Sequence, residues 1–345
     1  MSKNFSNVFF CVIILIVGWR TYFVEMIEFG NLIGNNKQYK DLISQKQNCA
    51  SFLFSSQDEV LVSNFCYMFA KFLLCSGENK PCGVCESCKK VDLLSHSDLI
   101  IYPKNHKGIL VDDIKNLIEN VYLSPIESDK KVFVLNNFSL ATIQSQNKLL
   151  KILEEPPKNV YIILGVTNES KVLPTIFSRC KKIRLNKLDD NDIKFALQEK
   201  ANESVVDLSS GDLTKAIKFS SDSLFQDCYN NCLDTLKNMK DSKMVLNFST
   251  KLVSKKGEIG TVLTILESFY RDMLLIRLRQ EQLVKNQNIL GDLRVISQDY
   301  DADAIDKVIK KLYEVKRAVD FNCNESYLMD NLLLYILEVK YLCKL

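Results

Sequence analysis

Between residues 50 and 185, five short apolar stretches (ASFLFS, DLIIY, KVFVLNN, VYIILGVTN and KKIRL) alternate with longer segments of helical pattern. That alternation constrains the fold more than any other feature of the chain. Parallel strands cannot be joined by a tight turn; each needs a crossover of about a dozen residues, usually a helix. Strands covered by helices on both faces read as unbroken apolar runs, as VFVL and YIIL do here. The intervening segments fit the crossover role. EVLVSNFCYMFAKFLLC is a largely apolar helix pattern, and VDDIKNLIENVYL places Ile114, Leu117, Ile118 and Val121 on one stripe, with Asp112 as the expected N-cap. ATIQSQNKLLKILEEPP ends at two prolines, which lack a donor and clash with the preceding turn. The pattern predicts an α/β core built on a mainly parallel sheet. Ligands of such sheets sit beyond the carboxyl ends of the strands, which here carry Ser55–Ser56, Asn136–Asn137 and Thr167–Asn168.

After about residue 186 the pattern changes. LDDNDIKFALQEKANESVVDLSSGDLTKAIKFS reads as a small helical unit broken at Gly211. From about 225 to 345 no strand signal is convincing, and VLTILESFYRDMLLIRLRQEQL and ESYLMDNLLLYILEVKYLC are long helices with wide apolar faces. The expected division is 26–186, 187–224 and 225–345, preceded by an apolar extension at 1–25. Within that extension VFFCVIILIVGW, residues 8–19, is too short for a bilayer span of about 20 residues. No small-residue cleavage site follows it, so 1–25 reads as an extension ahead of a second start at Met26, and a membrane attachment is disfavoured. With 47% hydrophobic and 25% charged residues the chain is not of a disordered or fibrous class. A net charge of +3 permits an anionic partner without requiring one.

Four of the twelve cysteines, Cys75, Cys82, Cys85 and Cys88, fall in CSGENKPCGVCESC. Structural zinc takes four soft ligands in a tetrahedron, and two-residue spacers let a turning backbone aim successive thiolates at one ion. Gly77, Pro81 and Gly83 supply the turns. Clustering in a chain without a clear export signal favours a metal site in a reducing cytoplasm over a disulfide framework. His96 and His106 are the only histidines, which argues against a histidine-held catalytic metal.

The stretch from His96 to Leu185, with NKLLKILEEPP, VLPTIFSRC and the four-cysteine insertion after the first long helix, resembles the bacterial clamp loader of DNA polymerase III, and within it the delta-prime type of subunit. EFGNLIGNNKQYKDLISQ is similar to the opening segment of that family. The resemblance runs well from about 28 to 220 and is weak beyond. It implies an AAA+ core with a zinc-binding insertion, a small helical lid and an all-helical C-terminal collar that joins subunits into a ring. It also implies partners: gamma/tau-type motor subunits, a delta-type wrench, the sliding clamp, and primed DNA through the assembled complex.

Motor members of the family carry a P-loop after the first strand, where glycines wrap the phosphates and a lysine reaches them. The corresponding stretch here, FLFSSQDEVLVSNF, has neither glycine nor lysine, and Asp58 and Glu59 add negative charge. The acidic residues that end the third strand in motors are replaced by Asn136 and Asn137. The expectation is a subunit with no ATP at its own site. In the family the arginine of the SRC turn, here Arg179, projects to the γ-phosphate bound by the next subunit, with Ser178 and Cys180 shaping the turn. Thr167 and Lys215 stand near the family's sensor positions and are assigned no nucleotide role; the Glu154–Glu155–Pro156–Pro157 run is read as a helix end. Two other classes compete with this one: a motor ATPase with an unusual site, and a stand-alone zinc-dependent nucleic-acid module. The latter would want a basic, aromatic-rich face, and residues 76–90 hold no aromatic residue.

Overall fold

The structure is a computed structural model, and it describes residues 29–343 apart from 47–48, 105–107, 222–224, 254–258 and 322. The apolar run at 8–19, the extension that contains it, and His106 lie outside the described residues. Contacts divide the chain into two compact units: residues 1–188 together with Asp212–Thr214, and Asp189–Gly211 together with Lys215–Leu345.

The first unit opens with α1 (Gly30–Asn35) and α2 (Lys37–Ser44), then strand β1 (Ser51–Ser55) and the long helix α3 (Glu59–Leu74). There follow α4 (Glu86–Asp92), β2 (Leu99–Tyr102), α5 (Val111–Val121), β3 (Lys131–Leu135), α6 (Ile143–Glu154), β4 (Val160–Val166), the single turn α7 (Pro174–Phe177) and β5 (Lys181–Arg184). All four strand pairings are parallel, in the order β2-β3-β4-β1-β5. The alternation of the sequence has become the sheet it predicts.

Both faces of the sheet are covered, and β1 shows how. Phe52 and Phe54 point to α3, where Phe69 meets their rings at 4.7 and 5.4 Å in edge-to-face contacts. Leu53, between them, joins the opposite core with Ile114 and Leu117 of α5 and Leu149 and Ile152 of α6. Each such fully buried side chain is worth about 1.5–3 kcal/mol against its exposed state. Gly165 marks where α3 comes closest to β4: an added Cβ would lie 3.0 Å from Val62 Cγ1 and 3.3 Å from Cys66 Sγ.

One local expectation is corrected. Helix α5 begins at Val111 with Leu110 as its N-cap, so Asp112 lies inside the helix and pairs with Lys115 at 2.8 Å. The reason is Asp113, whose carboxylate accepts from the Leu110 N–H at 2.9 Å and fixes the start further upstream.

The second unit is helical throughout its described residues. It holds α8 (Asp190–Leu197), α9 (Glu203–Ser209), most of α10 (Leu213–Ser221), α11 (Phe225–Asn238), α12 (Val245–Leu252), α13 (Ile259–Arg277), α14 (Leu290–Ser297), α15 (Ala302–Asp320) and α16 (Glu325–Leu342). Gly211, at φ +78°, makes the break between α9 and α10 that the sequence places there. The fully buried Asp272 anchors the interior. It pairs with Arg271 at 2.6 Å and accepts from the backbone and side-chain N–H groups of Asn286 at 2.9 and 2.6 Å. A buried carboxylate is tolerated only when so satisfied. Among the described residues no helix is long and apolar enough to cross a membrane.

Candidate functional site: strand-end crevice, arginine turn and cysteine cluster

In a sheet of this topology the ligand crevice lies beyond the carboxyl end of β1, with the head of the following helix as its floor. First-turn N–H groups of a helix have no intrahelical acceptor and are the donors that hold a phosphate when one is bound. At α3 three of these donors, those of Asp58, Val60 and Leu61, are engaged internally. The Asp58 N–H donates to Ser56 Oγ at 3.2 Å, the Val60 N–H to Thr214 Oγ1 at 3.0 Å and the Leu61 N–H to Asp58 Oδ1 at 3.0 Å. Asp58 is buried and also accepts from the N–H of Leu213 at 2.5 Å, the N–H of Thr214 at 3.2 Å and the Thr214 hydroxyl at 2.7 Å. Leu213 and Thr214 belong to this same first unit. One carboxylate thus caps the starts of two helices, α3 and α10. Burial raises its pKa above the ordinary carboxylate value, against the hydrogen bonds from Leu61, Thr214 and Leu213 that oppose the rise.

Ser55, Asn137, Thr167 and Asn168 of the strand-end row are also tied down by the chain itself. Asn137, with a left-handed backbone at φ 53°, donates through Nδ2 to Glu59 Oε1 at 2.7 Å. Ser139 Oγ accepts from the N–H groups of Thr167 and Asn168, each at 2.9 Å, so Thr167 is a strand-end residue as expected. Glu169 gathers Ser55 Oγ at 2.9 Å, Lys182 at 2.6 Å and a two-pronged contact from Arg184 at 3.0 and 2.9 Å. Arg184 and then Lys182 pull its pKa down to about 2. Glu169 escapes a reading of the sequence, because its partners come from two other strands.

Arg179 stands just after the single turn α7, which Pro174 opens at its first position. The Arg179 N–H donates to the Ile176 carbonyl at 3.1 Å, and Ser178 Oγ donates to the Thr175 carbonyl at 3.0 Å. Half-buried Cys180 packs on the sheet core, and burial pushes its thiol up to about 12. Ser178 and Cys180 therefore build the turn, as expected. The side chain is 29% exposed, and its guanidinium meets Glu154, the last residue of α6. The EEPP run is a helix end, and its first glutamate is also the partner of the arginine.

The four cysteines are brought together. All four Sγ atoms lie within 4.8 Å of one another, and Cys75 and Cys85 are 3.9 Å apart. A tetrahedral site with metal–sulfur bonds of about 2.3 Å has sulfur–sulfur edges of about 3.8 Å, so the cluster needs only a small contraction. Backbone N–H groups are aimed at the sulfurs: Cys82 and Gly77 at Cys75 (3.3 and 3.4 Å), Cys85 at Cys82 (3.3 Å), and Cys88 at Cys85 (3.3 Å). Gly77 is required by space, since a Cβ there would fall 2.9 Å from Cys82 Sγ. Burial works to raise Cys85, but the Cys88 N–H and the Ser76 contacts outweigh it and bring the thiol down to about 5. Burial and the neighbouring thiols raise Cys88. Four thiols so close cannot all ionise without a cation among them, and a divalent metal would supply it.

The parallel sheet in the order β2-β3-β4-β1-β5, covered by helices and followed by a part that is helical among the described residues, defines a doubly wound α/β protein. Two family models match, described as DNA polymerase III, delta subunit, over residues 35–189, and as its C-terminal part over residues 225–338. A delta-prime subunit of DNA polymerase III from Bacillus subtilis is 23% identical, covering 84% of this chain and 91% of its own length. The tau subunit from Escherichia coli is 33% identical over 44% of this chain, and the chain spans only 24% of that relative's length. A solved gamma subunit-related protein from Thermotoga maritima covers 87% of this chain at 19% identity, with a TM-score of 0.46. The chain belongs to the clamp-loader subunit family of DNA polymerase III.

Proposed function

We propose that this chain is a delta-prime-like subunit that holds no nucleotide of its own and supplies Arg179 to the ATP of a neighbouring motor subunit. The observation that carries this reading is the head of α3, where donors suited to phosphate are taken by Asp58 and Thr214. A nucleotide phosphate would have to displace a buried carboxylate from its hydrogen bonds and would meet its charge. The match to a delta-prime subunit runs over 91% of that protein, whereas matches to tau subunits cover 24% to 56% of theirs, which favours the same reading.

On this reading the core bears a zinc module, held by Cys75, Cys82, Cys85 and Cys88 and purely structural in role. Residues 187–224 act as the lid and 225–345 as the collar. The partners are gamma/tau-type motors and a delta-type wrench in a hetero-oligomeric ring, together with the sliding clamp and primed DNA in the cytoplasm. The chain works as a stator while its neighbours hydrolyse ATP. A trans arginine stabilises the charge spreading over the transferred phosphoryl group and is worth about 10^3 or more in rate in related systems. The test is the clamp- and DNA-stimulated ATPase of a loader reconstituted with this chain. Arg179→Ala should lower it by about two orders of magnitude or more with assembly intact. An unchanged rate would leave the chain a scaffold and the turn a relic of ancestry. The second reading, a gamma/tau-type motor, requires ATP binding by this chain alone.

A further inference from the structure

Arg179 is already engaged within its own subunit. Its Nε donates to Glu154 Oε1 at 2.8 Å, and Nη2 donates to the same oxygen. Nη1 donates to the Thr175 carbonyl at 2.9 Å and to Ser178 Oγ at 3.2 Å. A guanidinium has five N–H bonds, and these four contacts leave a single one. A two-pronged grip on a phosphate needs two parallel N–H bonds on one edge. The edge formed by Nε and Nη2 is the one Glu154 holds.

The hold is of a kind that can be exchanged. Glu154 uses one oxygen for both donors, not the two-oxygen fork that makes the strongest arginine–carboxylate pairs. The pair is also partly solvated, with side-chain exposures of 29% for Arg179 and 48% for Glu154. Such pairs are weak. A terminal phosphate offers more charge and three acceptor oxygens, so it wins the guanidinium once it is brought within reach.

We propose that Glu154 is a positioning residue that parks Arg179 against its own subunit and releases it only to a phosphate presented by a correctly docked neighbour. This rests on the reading of Arg179 as a trans-acting group. Parking keeps the arginine from wandering across a loosely formed interface, and so lowers hydrolysis before clamp and primed DNA have tightened the ring. The Thr175 carbonyl and Ser178 hydroxyl hold the other nitrogen, so release swings one edge of the guanidinium free of Glu154 without freeing the whole side chain.

The test uses the reconstituted loader and measures ATPase with and without clamp and primed DNA for wild type, Glu154→Gln, Arg179→Ala and the double variant. Glu154→Gln keeps the oxygen acceptor and removes the charge. It should raise the unstimulated rate about two- to fivefold, the range set by a partly exposed ion pair, and leave the stimulated rate and the thermal midpoint near wild type. The double variant should match Arg179→Ala, because Glu154 acts only through the arginine. Glu154→Asp, which keeps the charge on a shorter arm, should fall between wild type and Glu154→Gln. An unstimulated rate at or below wild type for Glu154→Gln, with Arg179→Ala strongly impaired, overturns the parking role and leaves the trans arginine standing. Wild-type rates for Arg179→Ala overturn the reading on which both rest.

Discussion

Two regions of the first unit gather polar or thiol groups around one point, and they do so in opposite ways. The cysteine module keeps everything a metal requires: four converging sulfurs, backbone N–H groups aimed at them, and a glycine where a side chain would intrude. In the crevice beyond β1 the donors and acceptors are turned on one another, and on the proposed reading this is what remains of a nucleotide site. On that reading the fold outlasts the ligand because polar groups such as Asp58 and Asn137 find internal partners. Unsatisfied buried donors cost about 1–3 kcal/mol each, so donors that face no ligand are best satisfied from within. Asp58 does this at the head of α3.

The contrast is broken most forcefully at the metal. Cys82 is only half-buried and its replacement disturbs little packing, so Cys82→Ser tests ligation rather than core volume. Bound zinc, measured by elemental analysis after dialysis against a mild chelator, should fall from about one per chain to under about 0.1, with residues 75–88 becoming protease-sensitive. Zinc content equal to wild type would mean that the cluster is not the metal site.

Asp58→Ala probes the other region and should have a smaller effect. It removes the cap of α3 and leaves the Leu213 and Thr214 N–H groups without their acceptor. Denaturant unfolding should show a loss of about 2–4 kcal/mol. Asp58→Asn, which keeps one acceptor oxygen, should lose about half as much. If alanine costs less than about 0.5 kcal/mol, the carboxylate is not what satisfies the crevice.

How far each region is legible in sequence follows from the range of its interactions. The sheet is legible because periodicity and proline placement are local: KVFVL and the EEPP helix end lie where the pattern puts them. The cysteine cluster is legible because its four members span fourteen residues and their spacing is itself the signal. That the stretch after β1 has neither glycine nor lysine can also be read directly. The partners of its polar groups cannot. Asp58 finds Leu213 and Thr214 more than 150 positions away, and Ser55 and Glu169 are 114 positions apart. The Asp112 cap was misplaced for a local reason: two adjacent aspartates can each serve, and the side chain reaching back to Leu110 belongs to the second. Glu154 lies in a stretch whose prolines dominate its reading, and its pairing with Arg179 depends on how α6 and α7 pack.

The smallest expected effect is none. Titration calorimetry of the isolated chain with magnesium-ATP should give no saturable heat up to millimolar nucleotide, while the same preparation retains its zinc. Saturable binding in the micromolar range, one nucleotide per chain and weakened by substitutions at Asn136 or Asn137, would contradict the account at its centre and make this chain a motor in its own right.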